Sequence, residues 1–212
     1  NLEREQSQIP QSICSPPPEV NAQNLGKIVF CSQAGDTQKS GDYYLYTISP
    51  DSSGMVKLPD SGSYMRYPAW SPERFRIAYA SPVDNVEKIF VMAADGQAFQ
   101  QITSGGGVDM FPTWSPDGNF IAYISYIEDT PNLWVTDLYG NAKQLTYFED
   151  EDTALWPSWS PVSDVIAFTY NQQGSDIGEK LYTIKPDGTQ LTELLSCPDA
   201  RDHYSEPDWS PD

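Results

Sequence analysis

YPAWSPERFRIAY at residues 67–79, FPTWSPDGNFIAY at 111–123 and WPSWSPVSDVIAF at 156–168 are three copies of one segment, and EPDWSP at 206–211 is a shorter fourth. Their tryptophans, Trp70, Trp114, Trp159 and Trp209, stand 44, 45 and 50 positions apart. That period fits one four-stranded propeller blade per repeat. The tryptophans are therefore read as the repeating core, each filling the wedge between neighbouring blades.

Outward from each copy the same series of short strands follows. After the copy at 111–123 these are expected around 112–115, 120–125, 132–137 and 142–146, with LWVTDL supplying β-branched and aromatic residues and Tyr139-Gly140-Asn141 a turn. FRIAYAS, KIFVMAAD and QQIT repeat the pattern from residue 75, and VIAFTY, KLYTIKPDG and QLTEL repeat it from 165. Ahead of them, KIVFCS at 27–32, YYLYTISPD at 43–51 and MVKL at 55–58 supply three strands with no WSP segment before them. A gap at one end and an orphan at the other predict closure by strand exchange between the termini. The fold class is thus all-β: a small propeller of four blades, each of four antiparallel strands, closed by the C-terminal strand joining the N-terminal blade. Closure would bury the inter-blade faces and satisfy the terminal edge. A strand-exchanged, eight-bladed dimer and a larger ring cut at Asp212 are the alternatives to a monomer.

Residues 1–24 contain Pro16, Pro17 and Pro18 without sustained alternation and read as an N-terminal arm or linker, leaving 25–212 as the propeller domain. Twelve Lys and Arg against thirty Asp and Glu give a net charge of -18, which excludes nucleic acid as an expected partner. No apolar run is long enough to span a bilayer. Cys14, Cys31 and Cys197 lack metal-ligand spacing. One disulfide tying Cys14 to the body and three separate thiols are both open readings.

In the copy at 111–123, Ser115-Pro116-Asp117-Gly118 matches a tight turn, with Pro fixing φ at its second position and Gly tolerating positive φ at its last. Glu73-Arg74 and Val162-Ser163 replace Asp-Gly in the other copies, so turn chemistry varies while Trp-Ser-Pro persists. This pattern resembles the TolB-type, WD40-like propeller family of PD40 repeats. The repeat that begins at 111 carries it in Pro112, Trp114, Ser115, Pro116, Asp117, Gly118, Ile121, Ala122, Tyr123, Leu133, Trp134, Val135, Asp137, Gly140, Leu145 and Thr146. The resemblance covers about residues 27–212 and implies a protein-interaction module in the periplasm, at the cell surface or secreted, or a propeller attached to a peptidase or other domain. It departs in the degenerate turns and in blade number, since relatives commonly have six or more.

Just before each repeated Pro stand Tyr67, Phe111, Trp156 and Glu206, with Arg66, Asp109, Asp152, Asp202 and His203 nearby. These nine residues are the candidate partner-binding rim, for a protein or peptide first and a glycan second; packing of the rings against the following blade is the competing reading. The polar loops at 35–42 and 171–179 are further rim candidates. Asp129, Asp150, Glu151 and Asp152 offer oxygens that would suit Ca2+, but no twelve-residue calcium loop is present, so no cofactor or metal is expected. The sole histidine, His203, lies beside Asp202, yet no Gly-x-Ser-x-Gly elbow, HExxH motif or phosphate loop accompanies it. The expectation is a noncatalytic binding module, with an accessory propeller of a multidomain hydrolase as the alternative.

Overall fold

The computed structural model describes residues 26–33, 42–59, 64–149, 152–172, 179–196 and 204–211. Four antiparallel sheets follow one another along the chain, each with its strands in sequence order. The first holds β1 (Ile28–Ser32), β2 (Tyr44–Ile48) and β3 (Val56–Lys57); the second β4 (Arg66–Trp70), β5 (Arg76–Val83), β6 (Val86–Ala93) and β7 (Gln100–Gln101). The third holds β8 (Val108–Trp114), β9 (Phe120–Ile127), β10 (Thr130–Asp137) and β11 (Ala142–Gln144). The fourth holds β12 (Thr153–Trp159), β13 (Ile166–Asn171), β14 (Lys180–Ile184) and β15 (Thr192–Ser196). Strand placement follows the expected series, except that β8 and β12 begin several residues before the repeated Pro.

The core lies between sheets, as a blade buries both faces. Leu45 and Leu58 pack with Met65, Ile77, Tyr79 and Met92 between the first and second sheets. Ala78, Ile89 and Val91 pack with Trp114, Ile121 and Tyr123 between the second and third. Ile124, Leu133 and Leu145 pack with Trp159, Ile166 and Phe168 between the third and fourth. Trp114 and Trp159 are buried, whereas Trp70 and Trp209 are half-buried.

Two repeat features have local explanations. The WSP turn is held by its serine: Phe120 N donates to Ser115 Oγ at 2.9 Å and Arg76 N to Ser71 Oγ at 3.1 Å. Gly118 N donates to Ser115 O and Arg74 N to Ser71 O, each at 2.9 Å. Gly118 and Arg74 both take left-handed backbone, at φ 68° and 62°. The turn survives loss of Asp-Gly because its hydrogen bonds come from serine and backbone. The Leu-Thr or Ile-Thr ending works likewise: Thr103 Oγ1 accepts from Ile89 N and Thr146 Oγ1 from Leu133 N, both at 2.9 Å.

The expected closure is overturned. The first sheet has three strands, and the 206–211 segment does not join it. Trp209 Nε1 instead donates to Ser158 O at 3.0 Å, the same bond that Trp114 Nε1 makes to Ala69 O at 3.1 Å. In both cases the acceptor is the carbonyl just before the preceding repeat's tryptophan. The last WSP segment therefore docks onto the sheet before it, continuing the series. Four sheets of four strands closed upon themselves are not present; three have four strands and one has three. The reason is local: the Trp209 indole meets the Ser158 carbonyl on β12, so the segment packs against the sheet that precedes it. The indole Nε1 atoms of Trp70 and Trp159, both buried, have no hydrogen-bond partner among the described residues.

The expected arm at 1–24 lies outside the described residues, as do Cys14 and Cys197; Cys31 is exposed on β1.

Candidate functional site

The repeated aromatic-proline step sits inside β4, β8 and β12, the innermost strands. Proline cannot donate to a strand ladder and is confined to edges and bulges. The register duly shifts between Arg66 and Ala69, between Met110 and Thr113, and between Leu155 and Ser158. At each of these three bulges the residue before Pro takes left-handed backbone, Tyr67 at φ 53°, Phe111 at 57° and Trp156 at 52°, and Glu206, outside any strand, does the same at 53°. Such conformations are unfavourable for bulky residues. Their recurrence in four copies ties them to the repeat itself.

These bulges bring the rings of successive blades together. Tyr67 and Phe111 have ring centroids 4.3 Å apart at 53°, and Phe111 and Trp156 4.2 Å apart at 52°. The tilted pairs form a continuous aromatic ladder across three sheets, each contact worth roughly 0.5–1.5 kcal/mol beyond its buried area. All three rings are half-buried. With Pro68, Pro112, Pro157 and Pro207, and with Glu206 and Asp208 at one end, they line a groove of about 510 Å3. Glu206 is exposed at the position where a fourth ring would continue the ladder.

The other candidate residues divide by environment. Asp109 is buried and paired with Lys88, whose Nζ lies 3.2 Å from Oδ2 and also donates to Gly107 O. This pair joins β6 to β8 below the ladder. Burial, and after it the nearby Asp109 charge, pushes the Tyr123 phenol above its usual range. Asp152 accepts from Tyr170 Oη at 2.6 Å, and burial followed by that bond raises the Tyr170 phenol as well. Arg66 is half-buried, with its guanidinium carbon 4.8 Å from the Tyr43 ring centroid and 6.0 Å from that of Tyr64. Asp202 and His203 lie outside the described residues, as do Asp150, Glu151 and most of both polar loops.

The geometry thus groups Tyr67, Phe111, Trp156 and Glu206, and separates Asp109 and Asp152 into structural contacts. Four prolines, Asp208 and the Lys88 partner of Asp109 join the picture from the structure. The prolines carried a legible signal, since a Pro at the same place in three strands, β4, β8 and β12, implies a bulge in each. A second depression of about 530 Å3 lies among the WSP turns, lined by residues such as Ser115, Asp117 and Val162. There Ser115 Oγ and Asp117 Oδ1 already bond to each other at 2.6 Å, so the turn uses its own polar groups. Among the described residues no three His, Cys, Asp or Glu side chains converge as cation ligands. No described helix is long and apolar enough to cross a membrane.

Comparison with known proteins supplies the remaining facts. The family profile described as TolB beta propeller domain (PD40) matches residues 76–212. No curated protein matches the sequence. Among solved structures, a protein assigned as TolB from Agrobacterium tumefaciens is similar at TM-score 0.65 and 20% identity, over 76% of this chain and 59% of that one. TolB from Acinetobacter baumannii is similar at TM-score 0.64 and 18% identity, over 80% of this chain and 41% of that one. Dipeptidyl peptidase 4 from Porphyromonas gingivalis is similar at TM-score 0.56 and 16% identity, over 81% of this chain and 31% of that one. The chain therefore spans less than two thirds of the length of each of these relatives.

Proposed function

This chain belongs to the PD40 family of TolB beta propeller domains, and from that footing we propose that it is a noncatalytic module that binds protein or peptide segments and serves as the accessory propeller of a larger hydrolase. The observation that carries the binding part is the aromatic ladder, Tyr67, Phe111 and Trp156, half-buried along an open groove. Extended segments suit such a surface: rigid rings and prolines supply apolar area at low conformational cost. The accessory role draws on likeness to peptidases that carry a propeller, among them the Porphyromonas gingivalis enzyme. Function on a shared fold is decided by the local site, so the ladder and not the likeness defines the test.

A stand-alone binding protein in the periplasm, at the cell surface or secreted is the second reading, favoured by the two TolB structures. The polypeptide that carries this module separates the two. Replacing Phe111 and Trp156 by Ala should raise KM for peptide substrates about tenfold, with kcat within twofold, because binding away from the reacting bond is lost. An unchanged KM would remove the accessory reading. A full-length product without hydrolase activity that still captures a protein partner through the ladder would leave the stand-alone reading in its place.

A further inference from the structure

We propose that the Glu206 end of the ladder is a receptor for a basic side chain, arginine ahead of lysine, in an extended peptide partner. The inference rests on the peptide-binding reading and names the chemistry of the ligand at one step of the groove. Trp156 has one ring contact, with Phe111 at 4.2 Å, and on its other side the groove continues over Pro157 to Glu206, Pro207 and Asp208. Glu206 repeats the left-handed backbone of the ladder positions, at φ 53°, so a carboxylate stands where the next ring would be. Among the described residues the ion pairs are Arg76–Glu73, Lys88–Asp109 and Lys180–Glu193, and none of these cations meets Glu206. Asp208 adds a second carboxylate, whose Oδ1 accepts from Trp209 N at 3.0 Å and from Ser158 Oγ at 3.4 Å.

An aromatic face beside an exposed carboxylate is complementary to a cation. A guanidinium fits best because its plane can lie on the indole while its N–H fork meets a carboxylate. A lysine ammonium satisfies the charge but not the stacking geometry. The net charge of -18 draws cationic segments toward the groove and repels acidic ones. The ladder beyond Trp156 then takes apolar or proline neighbours of the basic residue, one face at a time.

The test titrates the 212-residue chain with acetyl-Pro-Pro-Arg-Pro-Pro-amide and its Leu-centred and Glu-centred analogues, by calorimetry at low salt. The Arg peptide should bind about tenfold more tightly than the Leu peptide, the sum of a stacked cation and one partly exposed ion pair. The Glu peptide should be weakest. E206Q, a change at an exposed side chain, should bring the Arg peptide down toward the Leu peptide and leave the Leu peptide unchanged. Equal affinities for Arg and Leu, or a gap that E206Q leaves at its full size, would overturn the arginine receptor while leaving the groove intact, provided W156A still weakens all three peptides. Absence of binding by every peptide would remove the groove reading and this inference together.

Discussion

Truncating Trp114 tests the claim that stability resides between blades. Trp114 is 6% exposed and packs between the second and third sheets against Ala78, Ile89 and Val91. Its Nε1 reaches back to Ala69 O at 3.1 Å, and the Arg76 guanidinium carbon lies 4.9 Å from its ring centroid. Trp114→Ala removes the buried ring, at about 3–5 kcal/mol for a large aromatic, and strips the Ala69 carbonyl of a donor, at about 1 kcal/mol. The expected loss is about 4–6 kcal/mol, a large fraction of the ~5–15 kcal/mol that holds a domain together. Trp209 makes the corresponding bond to Ser158 but is half-buried, so Trp209→Ala should cost only about 1–2 kcal/mol. Equilibrium urea unfolding followed by far-UV circular dichroism measures both, with m compared to exclude a change in the unfolded chain. Equal losses for the two variants, or a Trp114→Ala loss below about 2 kcal/mol, would refute the inter-blade account.

Three further perturbations probe separate contacts. Gly140 sits at φ 83° with space for a Cβ only 2.8 Å from Ile102 O, so Gly140→Ala should destabilise by about 2 kcal/mol in the same urea assay; a neutral change would show that the turn can relax. The Lys88–Asp109 pair is buried on both sides, so Lys88→Met alone should cost about 3 kcal/mol by leaving Asp109 uncompensated, while Lys88→Met with Asp109→Leu should recover most of it; a double variant no better than the single would sink that reading. Burial, followed by the 2.8 Å bond to Glu193, raises the Tyr182 phenol to about 12 from an ordinary 10. Its contribution is whole below pH 10, where both states are protonated, and declines as pH rises toward 12 because the unfolded phenol ionises first. Urea midpoints between pH 9 and 11.5 should therefore fall more steeply for wild type than for Tyr182→Phe, and parallel curves would contradict this.

Much of the molecule was legible in its repeats. A serine at Ser71, Ser115 and Ser160 and a tryptophan one residue earlier specify the same turn and the same wedge wherever they occur, because both act within a blade or on its immediate neighbour. The strands followed for the same reason: a run such as LWVTDL bounded by Gly140 reads locally. The candidate ring positions were also legible, since Tyr67, Phe111, Trp156 and Glu206 share one place before Pro. Their neighbours by sequence were a poorer guide, because Asp109 and Asp152 alternate away from the groove into contacts with Lys88 and Tyr170.

By itself, then, the amino-acid order determined the all-β repeat, its period and the wedge tryptophans, all of which depend on short-range patterning. Only the tertiary structure decided where the last WSP segment goes and what the aromatic-proline steps become. The first depends on which carbonyl the Trp209 indole reaches, and that carbonyl is on Ser158, leaving the first sheet with three strands. The second depends on bulges that turn the backbone to positive φ and bring rings from separate blades to within 4.3 Å, a proximity between residues more than forty positions apart that no local pattern encodes.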